Sequence, residues 1–506
     1  MVQRVVVAAV LVAGTAGLVL QLRSPIGVYD EGLLLTNSWL VAEGGMPHRD
    51  FYTNYPPGIY LAIAGIWKVF GVSVHSVRLL GLALHALLAI LAGKLGGRML
   101  GRGFSWSTAS IVLVWGAGLG LTPRAWLAAM VAGLLFAWLM WKAIDEPRPV
   151  RFVLAGLALG LVGSLRHDLF GYLVLSGFVF FGLRVVVTRT LRVRALVVPG
   201  LLVALGAALV LVPVWIPVLR AAGGERVVLD LFVEQSRVLA GRELGLFARS
   251  GWRGFQWMFV LEVAAPITAG VILWRKGWSD GLAILGALSL AALPAASGRT
   301  DAVHVIGSAA PALVLFAFLG VRELERRSAR GPRLATALAL VGALVVPAPR
   351  FLSFRLNREA GPKLDFATYD GLPETPERAE GRADVLDFVR AHTKPGEPIF
   401  VGTRSHRVIF VNELDLYYLA QRPGATRWLQ FDPNLTNRLD VQVEIASDLE
   451  RTHAEVVILC SCCYRDESNG NDVPGSAWLD EYLASRYAIV RETGPYRLLQ
   501  RRPEPR

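Results

Sequence analysis

Charge is scarce in this chain. Asp, Glu, Lys and Arg make up 18% of its 506 residues, against 54% hydrophobic, and the mean hydropathy is +0.46. Length alone would suggest roughly three soluble domains, but so little charge excludes that for most of the chain, and it excludes disorder as well. Cysteine is nearly absent. The three that exist, Cys460, Cys462 and Cys463, form one cluster, which excludes a disulfide framework and leaves one thiol over. Outside a membrane Cys460 could pair with Cys462 or Cys463; a metal site or a mere strand end are the alternatives. Lysine is rare too, six against forty-six arginines. With abundant Ala and Gly, this is the usage of a GC-rich bacterial genome. No P-loop, GxGxxG or metal-ligand spacing is found in the carboxy-terminal part, and no Ser-His-Asp arrangement is visible.

Long apolar runs, by contrast, are plentiful. Stretches of about 20 apolar residues read as transmembrane helices. Eleven are expected, near 5–22, 77–96, 105–122, 125–141, 151–165, 169–187, 195–219, 256–274, 279–296, 303–320 and 333–349. The first has the look of a signal peptide, but it is long and lacks an A-x-A site, so it is read as an uncleaved anchor. The stretch 57–71 is apolar yet short for a span, and suits an interfacial or re-entrant helix. Residues 31–43 and 226–240 read as amphipathic helices on the outer membrane surface.

The net charge of +12 is concentrated in the short loops between spans, where a nucleic-acid binder would gather it on a soluble face. One set of loops carries Arg98 and Arg102; Lys142, Arg148 and Arg151; Arg184, Arg189, Arg192 and Arg194; Arg275 and Lys276; and Arg322, Arg326, Arg327, Arg330 and Arg333. The alternate short loops carry Arg124, Arg166 and Arg299. The positive-inside rule makes the first set cytoplasmic. The amino terminus is then inside, and residues 23–76, 220–255 and 350–506 are outside. The expected plan is an α-helical polytopic membrane domain over 1–350, with outer loops 23–76 and 220–255, and an extracytoplasmic soluble α/β domain over 351–506. In the latter, helical patterns (383–392, 440–452, 476–486) alternate with β-rich runs (398–402, 407–411, 455–460, 487–491, 496–500).

Ionisable residues near a membrane mark function, and three groups fall on the outer side. The first is Asp30-Glu31-Gly32, followed by the segment from Pro47 to Gly58 that holds His48, Arg49 and Asp50. The second is Arg166-His167-Asp168. The third is Arg299, Asp301 and His304. Each also has a structural explanation. Asp30 could cap a helix starting at Glu31. Arg166 with Asp168, and Arg299 with Asp301, could be loop ion pairs. His304 could be a packing histidine. Neighbours on a helix point about 100° apart, so Asp30 and Glu31 cannot both face one spot, and one of them supports the other.

An acidic pair in the first outer loop, an H-R-D-F-x-T-x-Y-P-P-G segment at 48–58, an apolar helix ending in Phe-Gly, and Arg78 opening the next span together resemble the GT-C glycosyltransferases. More narrowly, they resemble the bacterial protein mannosyltransferase and aminoarabinose transferase group. The resemblance covers about residues 5–320 and is best over 24–98. It implies transfer, with inversion, of a sugar from a polyprenyl- or dolichyl-phosphate donor at the outer membrane face, with a first-loop acid at the catalytic site. Asp30 would be that base and Glu31 its neighbour. The chain lacks the middle β-trefoil insert of the protein mannosyltransferases, so protein hydroxyls are not carried over as acceptor.

The residues also suit this chemistry by themselves. Displacing a lipid phosphate from a sugar needs a carboxylate to take the acceptor's proton, cations to hold the phosphate, and a site that excludes water. Arg49, Arg166 and Arg299 are candidates for the phosphate, with His304 auxiliary and Asp168 and Asp301 beside them. No cofactor is required by the resemblance; a divalent metal on the carboxylates is left open. The expected partners are a polyprenyl-phosphate-sugar donor, a glycan, lipid or protein acceptor, and the bilayer of a bacterial inner membrane, with no nucleic acid. Two other readings compete: a transporter or flippase of lipid-linked sugars, against which stands the absence of a visible internal repeat, and a non-catalytic membrane scaffold.

Overall fold

The computed structural model describes residues 2–189, 194–242, 256–297, 302–327, 342, 361–407, 412–432, 434–461 and 475–503. The described chain divides into two compact units, each assembled from separated stretches of sequence.

The first unit comprises 1–22, 78–215 and 244–356. Its helices are α1 (Val2–Leu20), then most of a long helix that runs from Val74 to Leu100, which we number α4, followed by α5 (Ser105–Ala117), α6 (Ala125–Asp145), α7 (Pro149–Leu165), α8 (His167–Thr188), α9 (Arg194–Ala222), α12 (Gln256–Lys276), α13 (Asp280–Ser297), α14 (Ala302–Ser308) and α15 (Ala310–Arg327). Six of these, α1, α4, α6, α8, α9 and α12, are long and apolar enough to cross a membrane. The chain is a multi-pass membrane protein. The core between them is aliphatic, with Met130, Leu134, Leu285 and Val314 fully buried. Where two helices cross most closely, glycine makes room. A methyl at Gly156 on α7 would fall 2.9 Å from the Cα of Gly206 on α9, and the reverse also holds. This is the small-residue crossing by which membrane helices approach one another without a hydrophobic drive between them.

Eleven full-length spans are not found among the described residues. The apolar described stretches Pro149–Leu165, Asp280–Ala296 and Ala310–Val321 are shorter than those six, and α5 has only 13 residues. The expected helix over 303–320 is broken at Ala309. Pro311, which has no N–H to give, sits in the first turn of α15, and the Ser308 hydroxyl turns back to the His304 carbonyl at 2.9 Å and to Glu262 at 2.7 Å. The expected span at 333–349 lies outside the described residues apart from Gly342.

The second unit comprises 23–77, 216–243 and 357–506. It therefore takes in the loop that follows α1 and much of the one that follows α9, together with the carboxy-terminal stretch. The first loop supplies α2 (Asp30–Ala42) and α3 (Gly58–Phe70). The second supplies α10 (Gly224–Val228), a π-helical turn over Leu229–Glu234 and α11 (Gln235–Arg242). The carboxy-terminal stretch forms α16 (Pro376–His392), β1 (Ile399–Thr403), α17 (Asp415–Ala420), α18 (Leu439–Arg451), β2 (Val456–Cys460), α19 (Trp478–Arg486), β3 (Tyr487–Thr493) and β4 (Tyr496–Arg501). The strands lie in the order β1-β2-β4-β3. β1 runs parallel to β2, with Ile399 opposite Val456, and the other two pairs are antiparallel. Every residue of β1 and β2 is buried, as continuous apolar strands covered on both faces should be. The outer part of edge strand β3 is exposed. The β-rich run expected at 407–411 falls outside the described residues after Arg407. Cys460, at the end of β2, is disulfide-bonded; Cys462 and Cys463 lie outside the described residues.

One expectation is overturned. Residues 31–43 are no surface amphipathic helix, because Glu31 to Leu40 are all buried. α2 packs against α3 and α17, and its polar middle is absorbed by the protein, the Thr36 hydroxyl donating to the Leu414 carbonyl at 2.6 Å. The segment 226–240 is helical as expected. It buries Val227, Leu231 and Val238, while Val228, Leu229, Phe232 and Leu239 face outward. α3 is 13 residues long, about 20 Å against the roughly 30 Å of a hydrocarbon core. It too presents apolar groups outward, Val69 and Phe70 among them.

Candidate active site

The acidic pair opens α2, and the two carboxylates do different things. Asp30 is the first helical residue and Tyr29 is the N-cap, with no side-chain cap bond. Asp30 is therefore not the capping residue that its position allowed. It is exposed, in the first turn, where the aligned peptide dipoles favour an anion. Glu31 turns the other way. It is buried, and its carboxylate accepts the Gly27 N–H at 2.8 Å, while the Gly32 N–H closes onto the Gly27 carbonyl at 2.8 Å. Glu31 thus ties the approach loop to the helix it leads into.

Gly32 completes the triplet. A Cβ there would lie 2.6 Å from the Asp415 backbone nitrogen and 3.0 Å from the Asp415 Cβ. Only glycine lets the first turn of α2 rest on the start of α17. Gly32→Val is expected to destabilise this unit by about 1–3 kcal/mol, the cost of overpacking a closed contact. Thermal unfolding of the purified protein would register this, and an unchanged midpoint would mean that the contact is loose.

Behind that contact lies a buried ionic cluster. Arg382 on α16 is fully buried. Its guanidinium holds Asp415 with two donors at 2.5 and 3.0 Å, Glu413 at 2.8 Å and Glu374 at 3.0 Å. Arg378 also reaches Glu374, at 2.9 Å. The Tyr369 hydroxyl donates to Glu374 at 3.0 Å, and the Tyr496 hydroxyl donates to Glu413 at 2.7 Å. Three carboxylates thus face two guanidinium groups. Burial, with Glu413 adding repulsion against the pull of Arg382, pushes the Asp415 carboxyl up to about 7.

A second set of contacts joins the outer segments. The Tyr29 hydroxyl donates to Asp432 at 2.5 Å. Buried His48 meets Asp230 of the second loop at 3.1 Å, and Arg427 bridges from Asp230 to the His48 carbonyl. Arg438 reaches Glu234 at 2.7 Å. The 48–58 motif is largely internal. Phe51, Tyr52 and Thr53 are buried, Phe51 meets Tyr60 edge to face, and the Thr53 and Tyr60 hydroxyls lie 2.9 Å apart. Arg49 is half exposed and paired with its neighbour Asp50 at 2.7–2.8 Å.

The other predicted residues belong to the first unit. Arg166 sits at the corner between α7 and α8. It holds Asp168 through two contacts, one of them 2.8 Å, with its guanidinium 5.1 Å from the centre of the Trp126 ring. The local ion pair weighed from the sequence is thus present. His304 lies at the start of α14. Arg299 and Asp301 lie outside the described residues. Among the described residues no three His, Cys, Asp or Glu are grouped to hold a metal ion.

Sequence reasoning missed Arg382, Asp230 and Glu234. A signal was there. Arg382 falls on the stripe Ala379, Val385, Leu386 and Val389 of α16, and Asp230 and Glu234 fall on the stripe Val227, Leu231 and Val238. A charge on a buried stripe demands a partner.

No protein-family model matches the sequence. No curated protein matches it either. Solved structures do. ArnT from Cupriavidus metallidurans bound to undecaprenyl phosphate superposes over 98% of this chain and 97% of its own, at 12% identity and a TM-score of 0.60. The same protein in the apo state gives 0.55 at 15% identity over the same shares. The archaeal oligosaccharyltransferase AglB from Archaeoglobus fulgidus, in complex with an inhibitory peptide and a dolichol-phosphate, gives 0.51 at 14% identity over 97% of this chain and 74% of its own. The likeness is one of fold, shared with ArnT and AglB.

Proposed function

We propose that the chain is a glycosyltransferase that moves a sugar from a polyprenyl-phosphate donor to an acceptor at the outer face of a bacterial inner membrane. The observation that carries this reading is the division of labour at α2. Glu31 is turned inward onto Gly27, so Asp30 is the acid displayed at the helix start, on a fold shared almost end to end with a structure bound to undecaprenyl phosphate. Asp30 takes the proton of the acceptor hydroxyl. The freed oxygen attacks the anomeric carbon from the side opposite the phosphate. The carbon–oxygen bond to phosphate breaks, polyprenyl phosphate leaves with the electron pair, and the anomeric centre inverts. The candidates for binding the donor phosphate or substrate are Arg49, Arg166, Asp168, Arg299, Asp301 and His304. The arginine-rich loops put the amino terminus in the cytoplasm and the α/β unit outside. The acceptor is a hydroxyl of a glycan, lipid or protein.

The test is transfer of sugar from a polyprenyl-phosphate donor by the purified protein and by its Asp30→Asn variant. Loss in the variant supports the enzyme; a flippase or scaffold keeps its function without the carboxylate. For the phosphate, Arg166→Ala is expected to weaken donor binding roughly tenfold or more, since a charge-assisted hydrogen bond is worth on the order of 1.5–3 kcal/mol. Equal donor affinity would reduce Arg166 to a corner ion pair with Asp168.

A further inference from the structure

A second cluster of cations lies far along the first unit from the acidic loop in sequence, and the reaction makes no use of it. Lys94 and Arg98 stand four residues apart near the end of α4, and Lys142 is in the last turn of α6. All three converge on one indole. The Lys94 Nζ lies 5.8 Å from the centre of the Trp138 ring, the Arg98 guanidinium carbon 5.6 Å and the Lys142 Nζ 5.0 Å. Arg98 also lies 4.5 Å from the centre of Trp141. Trp138 and Trp141 are half-buried, while both lysines are exposed.

An indole face attracts a cation only weakly at exposed sites. Gathering three cations on it works against their mutual repulsion, and like charges four apart on a helix already oppose each other. The nearby carboxylates form their ion pairs with arginines, although the charge of Glu146 also acts on Lys142. Asp145 is held by Arg98, and Glu146 is held by Arg151 at 2.6 Å. Among the described residues no carboxylate is in ion-pair contact with Lys94 or Lys142. Two ammonium groups without a carboxylate in ion-pair contact therefore meet at the Trp138 ring, toward the ends of two helices that are long and apolar enough to span a bilayer. An anion placed between them would relieve the repulsion. At a helix end flanked by tryptophan, the abundant anion is a lipid phosphate, since tryptophan settles at headgroup depth and basic pockets between membrane helices take anionic headgroups.

We propose that Lys94, Arg98 and Lys142, with Trp138 and Trp141, form a binding site for the phosphate of an anionic phospholipid headgroup. It shares no residue with the reaction assigned to Asp30 and does not depend on it. The lysines hold the phosphate, the tryptophans sit beside the glycerol, and Arg98 is kept in place by Asp145.

The whole purified chain, stripped of lipid in detergent, would be titrated with phosphatidylglycerol and with phosphatidylcholine, and bound lipid read by native mass spectrometry. Phosphatidylglycerol is expected to bind more tightly. The K94Q/K142Q variant is expected to bind it about 30-fold more weakly, the factor given by two cations at about 1 kcal/mol each. K94R/K142R should restore binding, and Lys276→Gln, on another basic loop, should leave it unchanged. Millimolar inorganic phosphate should not displace the lipid. Equal affinity for the two lipids, or undiminished binding by K94Q/K142Q, overturns the site. Displacement by inorganic phosphate overturns its assignment to a lipid.

Discussion

Asp30→Asn is expected to lower sugar transfer by about 10²–10⁴-fold, the usual worth of a positioned general base, with the fold intact. Asp30 is exposed in the first turn of α2, where an acid gains a few tenths to about 1 kcal/mol from the helix dipole. Glu31→Gln is expected to behave differently. Its amide oxygen can still accept the Gly27 N–H that the carboxylate now accepts at 2.8 Å, so activity should fall by at most about tenfold. Glu31→Ala, which removes the acceptor of the part-buried Gly27 N–H, should cost about 1 kcal/mol of stability. Rates and unfolding midpoints measured on the three variants separate the roles. If Glu31→Gln proved the more damaging to transfer while stability held, the base would be Glu31. If all three turned over normally, neither carboxylate would take part in the chemistry.

How far the sequence could be read depended on how far apart its interacting residues lie. Spans such as 77–96 and 125–141 were legible because a membrane helix is specified by its own residues, and the observed Val74–Leu100 and Ala125–Asp145 extend them only at the ends. The strands at 398–402, 455–460 and 496–500 were legible for the same reason. The helix over 303–320 was misjudged because hydropathy is blind to Pro311 at a new helix start. The acidic pair was legible as a pair, but which acid faces outward was decided by the Gly27 N–H. Least legible were contacts between distant segments. Nothing near Tyr29 announces Asp432, and nothing near His48 announces Asp230 or Arg427. For that reason α2 was read as a surface helix; the partner of its Thr36, the Leu414 carbonyl, lies 378 positions away.

Arg382→Met is expected to be the most destabilising single change in the α/β unit. Removing the guanidinium leaves Glu413 and Asp415 buried without the cation that now holds both, and Glu374 with Arg378 alone. Breaking a buried pair in this way costs about 3–5 kcal/mol, a large fraction of the 5–15 kcal/mol that holds an ordinary domain together. Arg382→Lys should recover part of this, since one ammonium can meet one carboxylate but cannot supply the two-pronged contact to Asp415. The cluster should also titrate. Three carboxylates against two guanidinium groups leave an excess negative charge, and the Asp415 carboxyl is pushed up to about 7, chiefly by burial. An acid whose folded pKa exceeds its unfolded value of about 3.9 binds its proton more tightly in the native state. Its contribution to stability is therefore complete below about pH 4 and is lost as pH rises through 7. Asp415→Asn keeps the shape without the charge, so the difference in unfolding midpoint between the variant and the parent should move in the variant's favour from pH 5 to pH 8. A difference that stayed constant over that range would mean that Asp415 is ionised throughout, with Arg382 fully compensating its burial. Because Asp415 forms the surface against which Gly32 rests, the same proton bears on the helix that presents Asp30. Loss of transfer on raising the pH that Asp415→Asn abolishes would tie the buried cluster to the acid at the mouth of α2.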